Sequence, residues 1–118
     1  AAIKSVLLDQ RRIAGLGNIY ADESLHRAGI WPGRCAGSLS DDEIIRLHRN
    51  IQEVIREGIA YRGTSFRDYV DGDGRKGCFQ ERLKVYGREG QPCTNCGRPI
   101  GRIKLAGRSS FYCPNCQK

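Results

Sequence analysis

Six cysteines occur in this 118-residue sequence, and four of them, Cys93, Cys96, Cys113 and Cys116, are spaced C-x2-C-x16-C-x2-C. Two thiolates on one tight knuckle can take adjacent corners of a tetrahedron, and two knuckles complete a closed site for one zinc ion. With four sulfur ligands and no open position, such a centre is structural rather than catalytic. Two disulfides in a secreted mini-domain are the alternative, disfavoured because no signal-peptide pattern is present. Cys35 and Cys78 stand apart and read as plain free thiols.

The stretch AGLGNIYADESL, Ala14 to Leu25, raises a second kind of chemistry. A dinucleotide-binding turn would need a third glycine where Tyr20 stands, and a buried parallel strand before it, which the short Ile3–Leu8 run followed by Asp9-Gln10-Arg11-Arg12 does not supply. What remains is a glycine-punctuated turn feeding a helix that starts at Asn18. Unpaired backbone N–H groups and the helix dipole favour a phosphate there. Asparagine is also a good N-cap, and the two roles are compatible. His26 and His48 fall on separate predicted helices with no carboxylate at suggestive spacing, and read as ordinary helix residues. No zinc-deaminase arrangement, H-E-x-x-H, nucleophile elbow or Walker loop is present.

The formal charge of +7 is uneven: Lys and Arg number 8 against 8 Asp and Glu in residues 1–60, and 12 against 5 in residues 61–118. Arginine supplies 15 of the 20 basic residues, and its planar fork suits phosphate. A polyanionic partner follows from that balance. Arg98, Arg102, Lys104 and Arg108 all lie between or beside the cysteine knuckles, a concentration that suits phosphate contact. The absence of a membrane-length apolar run makes a soluble intracellular protein the expectation. A start at Ala1-Ala2-Ile3 with no methionine reads as part of a longer chain.

The elements that must position these residues are legible in the pattern. Ser40-Asp41-Asp42-Glu43 is a capping box, and Ile44, Leu47, Ile51, Val54 or Ile55, and Ile59 recur at helical spacing, predicting one amphipathic helix over Asp41–Ala60. Upstream, a helix runs from Asn18 to Ala28-Gly29, with Ile19, Leu25 and Tyr20 as inward candidates, and Trp31-Pro32-Gly33 enforces a loop. The order is a short helix, two turns, a helix, a loop and a long helix, packed antiparallel. Residues 61–77 lose the helical period and read as a loop whose length points to function or mobility. Leu83-Lys84-Val85-Tyr86 reads as a short extended segment. Ile100–Leu105 and Ser109–Tyr112 flank a turn at Ala106-Gly107-Arg108, a β-hairpin with Arg108 at its tip. The fold class is therefore mainly α with a small β zinc ribbon: a helical unit over 1–82, including the loop 62–78, then a four-cysteine finger over 83–118.

The segments LLDQRRIAGLGNIYADESL, GTSFRDYV, VYGREGQPCTNCGRPI and AGRSSFYCPNCQK, in this order and spacing, resemble the C-terminal half of the bacterial formamidopyrimidine-DNA glycosylases of the Fpg/Nei family. The likeness covers essentially the whole chain. It implies a helix-two-turns-helix element and a zinc finger belonging to a base-excision-repair enzyme. Such an enzyme releases oxidised purines, 8-oxoguanine and formamidopyrimidines, and nicks the abasic site by β,δ-elimination. The family's catalytic proline and glutamate lie on an N-terminal domain that has no counterpart in this sequence, so no residue here is a catalytic candidate. By matching position, the resemblance implies phosphate ligands at Asn18, Tyr86 and Arg108, and a weaker nucleic-acid contact at Lys4 near the lesion. It implies that Thr64 and the backbone amides of Phe66, Arg67, Asp68 and Tyr69 close over a flipped base. Cys78 and Cys35 depart from the family's usual residues. The implied partners are damaged double-stranded DNA and the N-terminal catalytic domain. The implied setting is a monomer in the bacterial cytoplasm, with Asn18 and Arg108 clamping the duplex from two sides.

Two other readings stay open at this level. One gives the chain residual lyase activity through a Schiff base at Lys4. The other makes it a zinc ribbon that binds RNA or protein.

Overall fold

The computed structural model describes residues 2–9, 17–60, 83–105 and 107–118, with 59 and 60 described by their backbone only. Three helices, α1 (Ile3–Leu8), α2 (Asn18–Ala28) and α3 (Asp41–Ala60), precede a hairpin of β1 (Gly101–Leu105) and β2 (Arg108–Tyr112), with one 3₁₀ turn at Ala36–Ser38.

The capping box forms as the sequence predicts: the Ser40 N–H donates to Glu43 Oε1 at 2.9 Å, and the Glu43 N–H donates to Ser40 Oγ at 3.1 Å. Arg34 adds a bidentate bridge to the same carboxylate, at 2.7 and 2.9 Å, tying the preceding loop to the start of α3. The guanidinium and the Ser40 N–H hold Glu43 well below the usual carboxylate range, at about 2.

Helix α2 ends where Gly29 adopts φ 73°, with the Gly29 N–H on the carbonyl of His26 and the Ile30 N–H on that of Leu25. This is the Schellman pattern, and buried Ile30 in the same cluster as Leu25 supplies its apolar contact. Arg46 Nε donates to the Ala28 carbonyl at 2.7 Å, satisfying a further orphan acceptor at that end. Helix α1 is only six residues long, and its N–H groups at Ile3 and Lys4 donate to the carbonyls of Arg34 and Pro32.

The main core joins Ile3 and Leu7 of α1, Ala21, Leu25 and Ala28 of α2, Ile30, and Leu47 and Ile51 of α3. Ile19 and Val54 form a second cluster with Leu83 and Tyr86, and Val85, Cys93, Ile100 and Cys113 form a third inside the ribbon. Helices α2 and α3 run antiparallel: Arg46 meets the last turn of α2, while at the other end a Cβ on Gly58 would lie 2.5 Å from the Tyr20 hydroxyl. The predicted stripe needs one correction, because Ile44 is 49 % exposed. Arg46 already caps α2, so the first turn of α3 lies past the end of its partner helix.

In the hairpin, Gly101 pairs with Tyr112 and Leu105 with Arg108, closed by a two-residue turn in which Gly107 has φ 78°. The segment from Leu83 to Tyr86 is bend and turn, not the extended strand its sequence suggests. Its consecutive N–H groups converge on one carboxylate, which a ladder with alternating directions does not allow.

Candidate zinc centre and nucleic-acid interface

Each knuckle is held by short-range hydrogen bonds. The Cys93 N–H donates to the Arg98 carbonyl and the Gly97 N–H to the Cys93 carbonyl, both at 2.8 Å, with Gly97 at φ 80°. Within the second knuckle, the Cys113 N–H donates to Gln117 Oε1 at 2.7 Å. The four sulfurs lie within 4.8 Å of one another, with Cys93–Cys116 at 3.9 Å and Cys96–Cys113 at 3.4 Å. Zinc–thiolate bonds of ~2.3 Å in a tetrahedron put sulfurs ~3.8 Å apart, so the donor set fits one zinc ion. N–H groups of Asn95 and Cys116 point at Cys93 and Cys113 Sγ, each at 3.4 Å, as acceptors that carry thiolate charge require.

All four nucleic-acid candidates gather around β2. Asn18 is the first residue of α2 and not its cap: Gly17 holds the cap position with no side-chain bond. Freed from capping, Asn18 Nδ2 donates to the Ser109 carbonyl at 3.2 Å, one residue from exposed Arg108. An amide nitrogen carries two hydrogens, and the second has no partner among the described residues. Asn18 thus meets the backbone beside Arg108, although the two stand 90 residues apart in sequence. The Tyr86 ring packs edge-on against Phe111, centroids 5.1 Å apart.

Lys4 lies deepest of the four. Its side chain is fully enclosed, and its ammonium reaches Asp22 Oδ1 at 2.8 Å, the Ser109 carbonyl at 2.8 Å and Ser110 Oγ at 2.6 Å. Two of its three hydrogens are given to β2, and its charge is paired with Asp22. Burial lowers the Lys4 pKa against the pull of Asp22, and burial lifts Asp22 to about 6 against the pull of Lys4. Such a buried pair sets register between elements more than it adds stability. Among the described residues Lys4 is a tie between α1, α2 and β2.

The basic residues of the ribbon are also divided. Side chains of paired positions share a face, which groups Arg102 and Lys104 with Phe111 and Ser109, and Arg108 with Leu105, Ile103 and Ser110. Arg102 is engaged as well, donating from Nε to Ser109 Oγ at 3.1 Å and bridging Glu89 at 3.5 Å. They do not form a single phosphate-facing row with Arg108.

Sequence reasoning passed over two residues that organise this surface. Glu23 is 1 % exposed and accepts the N–H groups of Lys84 at 2.8 Å, and of Val85 and Tyr86 at 2.9 Å each. Asp22 beside it accepts the Phe111 N–H at 3.1 Å. One turn of α2 thus grips both ribbon segments, the one carrying Tyr86 and the one carrying Arg108. Nothing local in the sequence marks that role, because the N–H groups they accept lie some sixty to ninety residues away. Thr64, Phe66, Arg67, Asp68, Tyr69 and Cys78 lie outside the described residues, while Cys35 is exposed. No helix among the described residues is long and apolar enough to cross a membrane.

A helical unit fused through buried polar ties to a four-cysteine zinc ribbon defines the class, a helix-two-turns-helix zinc-finger protein. Two family models match: the formamidopyrimidine-DNA glycosylase H2TH domain over residues 1–70, and the zinc finger found in FPG and IleRS over residues 90–118. The chain belongs to the formamidopyrimidine-DNA glycosylase family, and its four cysteines are the ligands of that finger's structural zinc. It is 64 % identical to the formamidopyrimidine-DNA glycosylase of Desulforamulus reducens over 98 % of its own length. It spans 42 % of that relative, about two fifths. The MutM (Fpg) structure from Thermus thermophilus superposes with a TM-score of 0.89 at 50 % identity, covering 98 % of this chain and 44 % of that one. The complex of Lactococcus lactis Fpg with DNA containing an abasic site gives 0.88 at 41 % identity, covering 99 % and 42 %.

Proposed function

We propose that this chain is the DNA-binding C-terminal part of a base-excision-repair glycosylase and abasic-site lyase acting on oxidised purines, 8-oxoguanine and formamidopyrimidine. In this reading Asn18, Tyr86 and Arg108 hold the phosphate backbone of damaged duplex DNA, and an N-terminal domain of the same protein performs the chemistry. The chain itself carries no catalytic residue, and works in the bacterial cytoplasm as part of a monomer. Family membership supports the reading, as does the solved likeness whose relative is bound to DNA with an abasic site. The observation that carries it is the hydrogen bond from Asn18 to the Ser109 carbonyl, which sets the start of α2 against the strand that begins with exposed Arg108.

The loop residues Thr64, Phe66, Arg67, Asp68 and Tyr69 are assigned to the extruded base on the resemblance of GTSFRDYV alone. The division into 1–82 and 83–118 is one of sequence more than of action, since α2 holds both phosphate-facing segments of the finger.

The test is a salt titration of duplex binding. Arg108→Ala is expected to weaken damaged and undamaged duplexes alike and to lower the salt slope by about 0.9, one neutralised phosphate. Asn18→Ala is expected to cost ~0.5–1.5 kcal/mol with the slope nearly unchanged. An Arg108→Ala chain with unaltered affinity and slope refutes the proposal. Tighter binding of an RNA duplex of equal charge would favour an RNA-binding ribbon instead.

A further inference from the structure

Helix α2 reaches the metal centre itself. His26 is 3 % exposed, and its Nε2 lies 3.7 Å from Sγ of Cys93, the distance of an N–H···S hydrogen bond. Its other ring nitrogen, Nδ1, is buried with no partner among the described residues. We infer that His26 donates an Nε2–H hydrogen bond to the Cys93 thiolate and is an outer ligand-positioning residue of the zinc centre.

Four thiolates around one divalent zinc leave a net charge of −2 in a partly buried space, so each sulfur gains from N–H donors. Cys93 is 3 % exposed, which closes it to water as a donor. The Asn95 N–H supplies one bond from within the knuckle, and His26 supplies a second from another element. The tautomer follows from the surroundings. A proton on Nδ1 alone would bury an N–H without an acceptor and turn a bare nitrogen lone pair towards a thiolate, so the proton belongs on Nε2.

The approach is built in rather than incidental. At the end of α2, the Lys118 N–H donates to the Gly29 carbonyl at 3.0 Å, and Gln117 Nε2 donates to the Ile30 carbonyl at 2.9 Å while its Oε1 holds the Cys113 N–H. One turn earlier, Glu23 grips Lys84 to Tyr86. These bonds flank His26 on both sides and leave its ring little freedom to move away from Cys93. The zinc centre is therefore completed by the helical unit, and a finger taken from this chain without α2 lacks one of its donors.

The zinc-loaded 118-residue chain provides the test. Nitrogen-15 spectra of its two histidine rings should show His26 protonated at Nε2 and protected from exchange, with exposed His48 as the reference. His26→Phe keeps a ring but removes the donor, and is expected to weaken zinc affinity about tenfold in competition with a chromogenic chelator. His26→Gln, whose Nε2 can donate from a similar position, should recover affinity to within about threefold of the parent. An unprotonated Nε2, a His26→Phe chain that holds zinc like the parent, or a His26→Gln chain no better than His26→Phe each overturns the inference. Should His26→Phe fail to fold, the ring spectrum of the parent still decides.

Discussion

Replacing Glu23 by glutamine changes one atom's chemistry in a site with no room to compensate. The carboxylate is 1 % exposed, Oε2 accepts from Val85 and Tyr86 at 2.9 Å each, and Oε1 accepts from Lys84 at 2.8 Å. A glutamine can keep its oxygen at the Oε2 position, where two charge-assisted bonds become neutral ones and lose about 1 kcal/mol each. Its NH2 then meets the Lys84 N–H donor to donor, leaving a buried hydrogen unpartnered at about 1–3 kcal/mol. Relief from burying a charge returns part of this, for a net loss of about 2–4 kcal/mol. Urea unfolding of the zinc-loaded chain, followed by hydrogen exchange at Lys84, Val85 and Tyr86, measures it. A Glu23→Gln chain within about 0.5 kcal/mol of the parent, with those three amides equally protected, would refute the reasoning.

Three further outcomes follow from other parts of the fold. Zinc removal forfeits about 10–16 kcal/mol of apparent binding energy, so chelation is expected to unfold the finger from about Pro92 onward while α3 persists. Trp31, the single tryptophan, sits edge-on to Tyr112 at 6.4 Å, and its fluorescence should report that undocking alongside a retained helical signal. Gly58→Ala would ordinarily gain about 1 kcal/mol inside a helix, but the new Cβ would lie 2.5 Å from the Tyr20 hydroxyl and 2.8 Å from a ring carbon. A loss of about 1–3 kcal/mol in a thermal melt is expected instead. Glu43 is held at about 2 against an ordinary 4.5, so the folded state favours its ionised form. The stability this supplies is complete above pH 4.5 and disappears as pH falls towards 2. Glu43→Gln should flatten that limb of the stability curve, and an unchanged limb would show that the Arg34 bridge contributes nothing.

Several features of this protein could be read directly from the chain because they depend on residues within one turn of each other. The knuckles need only C-x2-C, the start of α3 needs Ser40 and Glu43 three apart, and the end of α2 needs a glycine free to take positive φ. The identities of the zinc ligands, the bounds of α2 and α3 and the place of the hairpin were accordingly legible, although Arg108, read as part of the turn, opens β2 instead. Residues that act across long sequence separations were not. Lys4 and Arg108 both look like cations available to a polyanion, yet α1 packs against α2 so that Lys4 faces Asp22 and β2, while Arg108 stays in solvent. Ile44 belongs to the apolar stripe by period and is exposed because α2 ends too soon to cover it. Glu23 and His26 carry no local signature. Their partners lie some sixty residues away, and only the docking of the ribbon on α2 turns one into the acceptor for three backbone N–H groups and the other into a neighbour of zinc. Local hydrogen bonding and backbone sterics set the elements. Which polar side chain is buried, and against what, is decided by helices and ribbon closing on one another, because only then is water removed and a partner required.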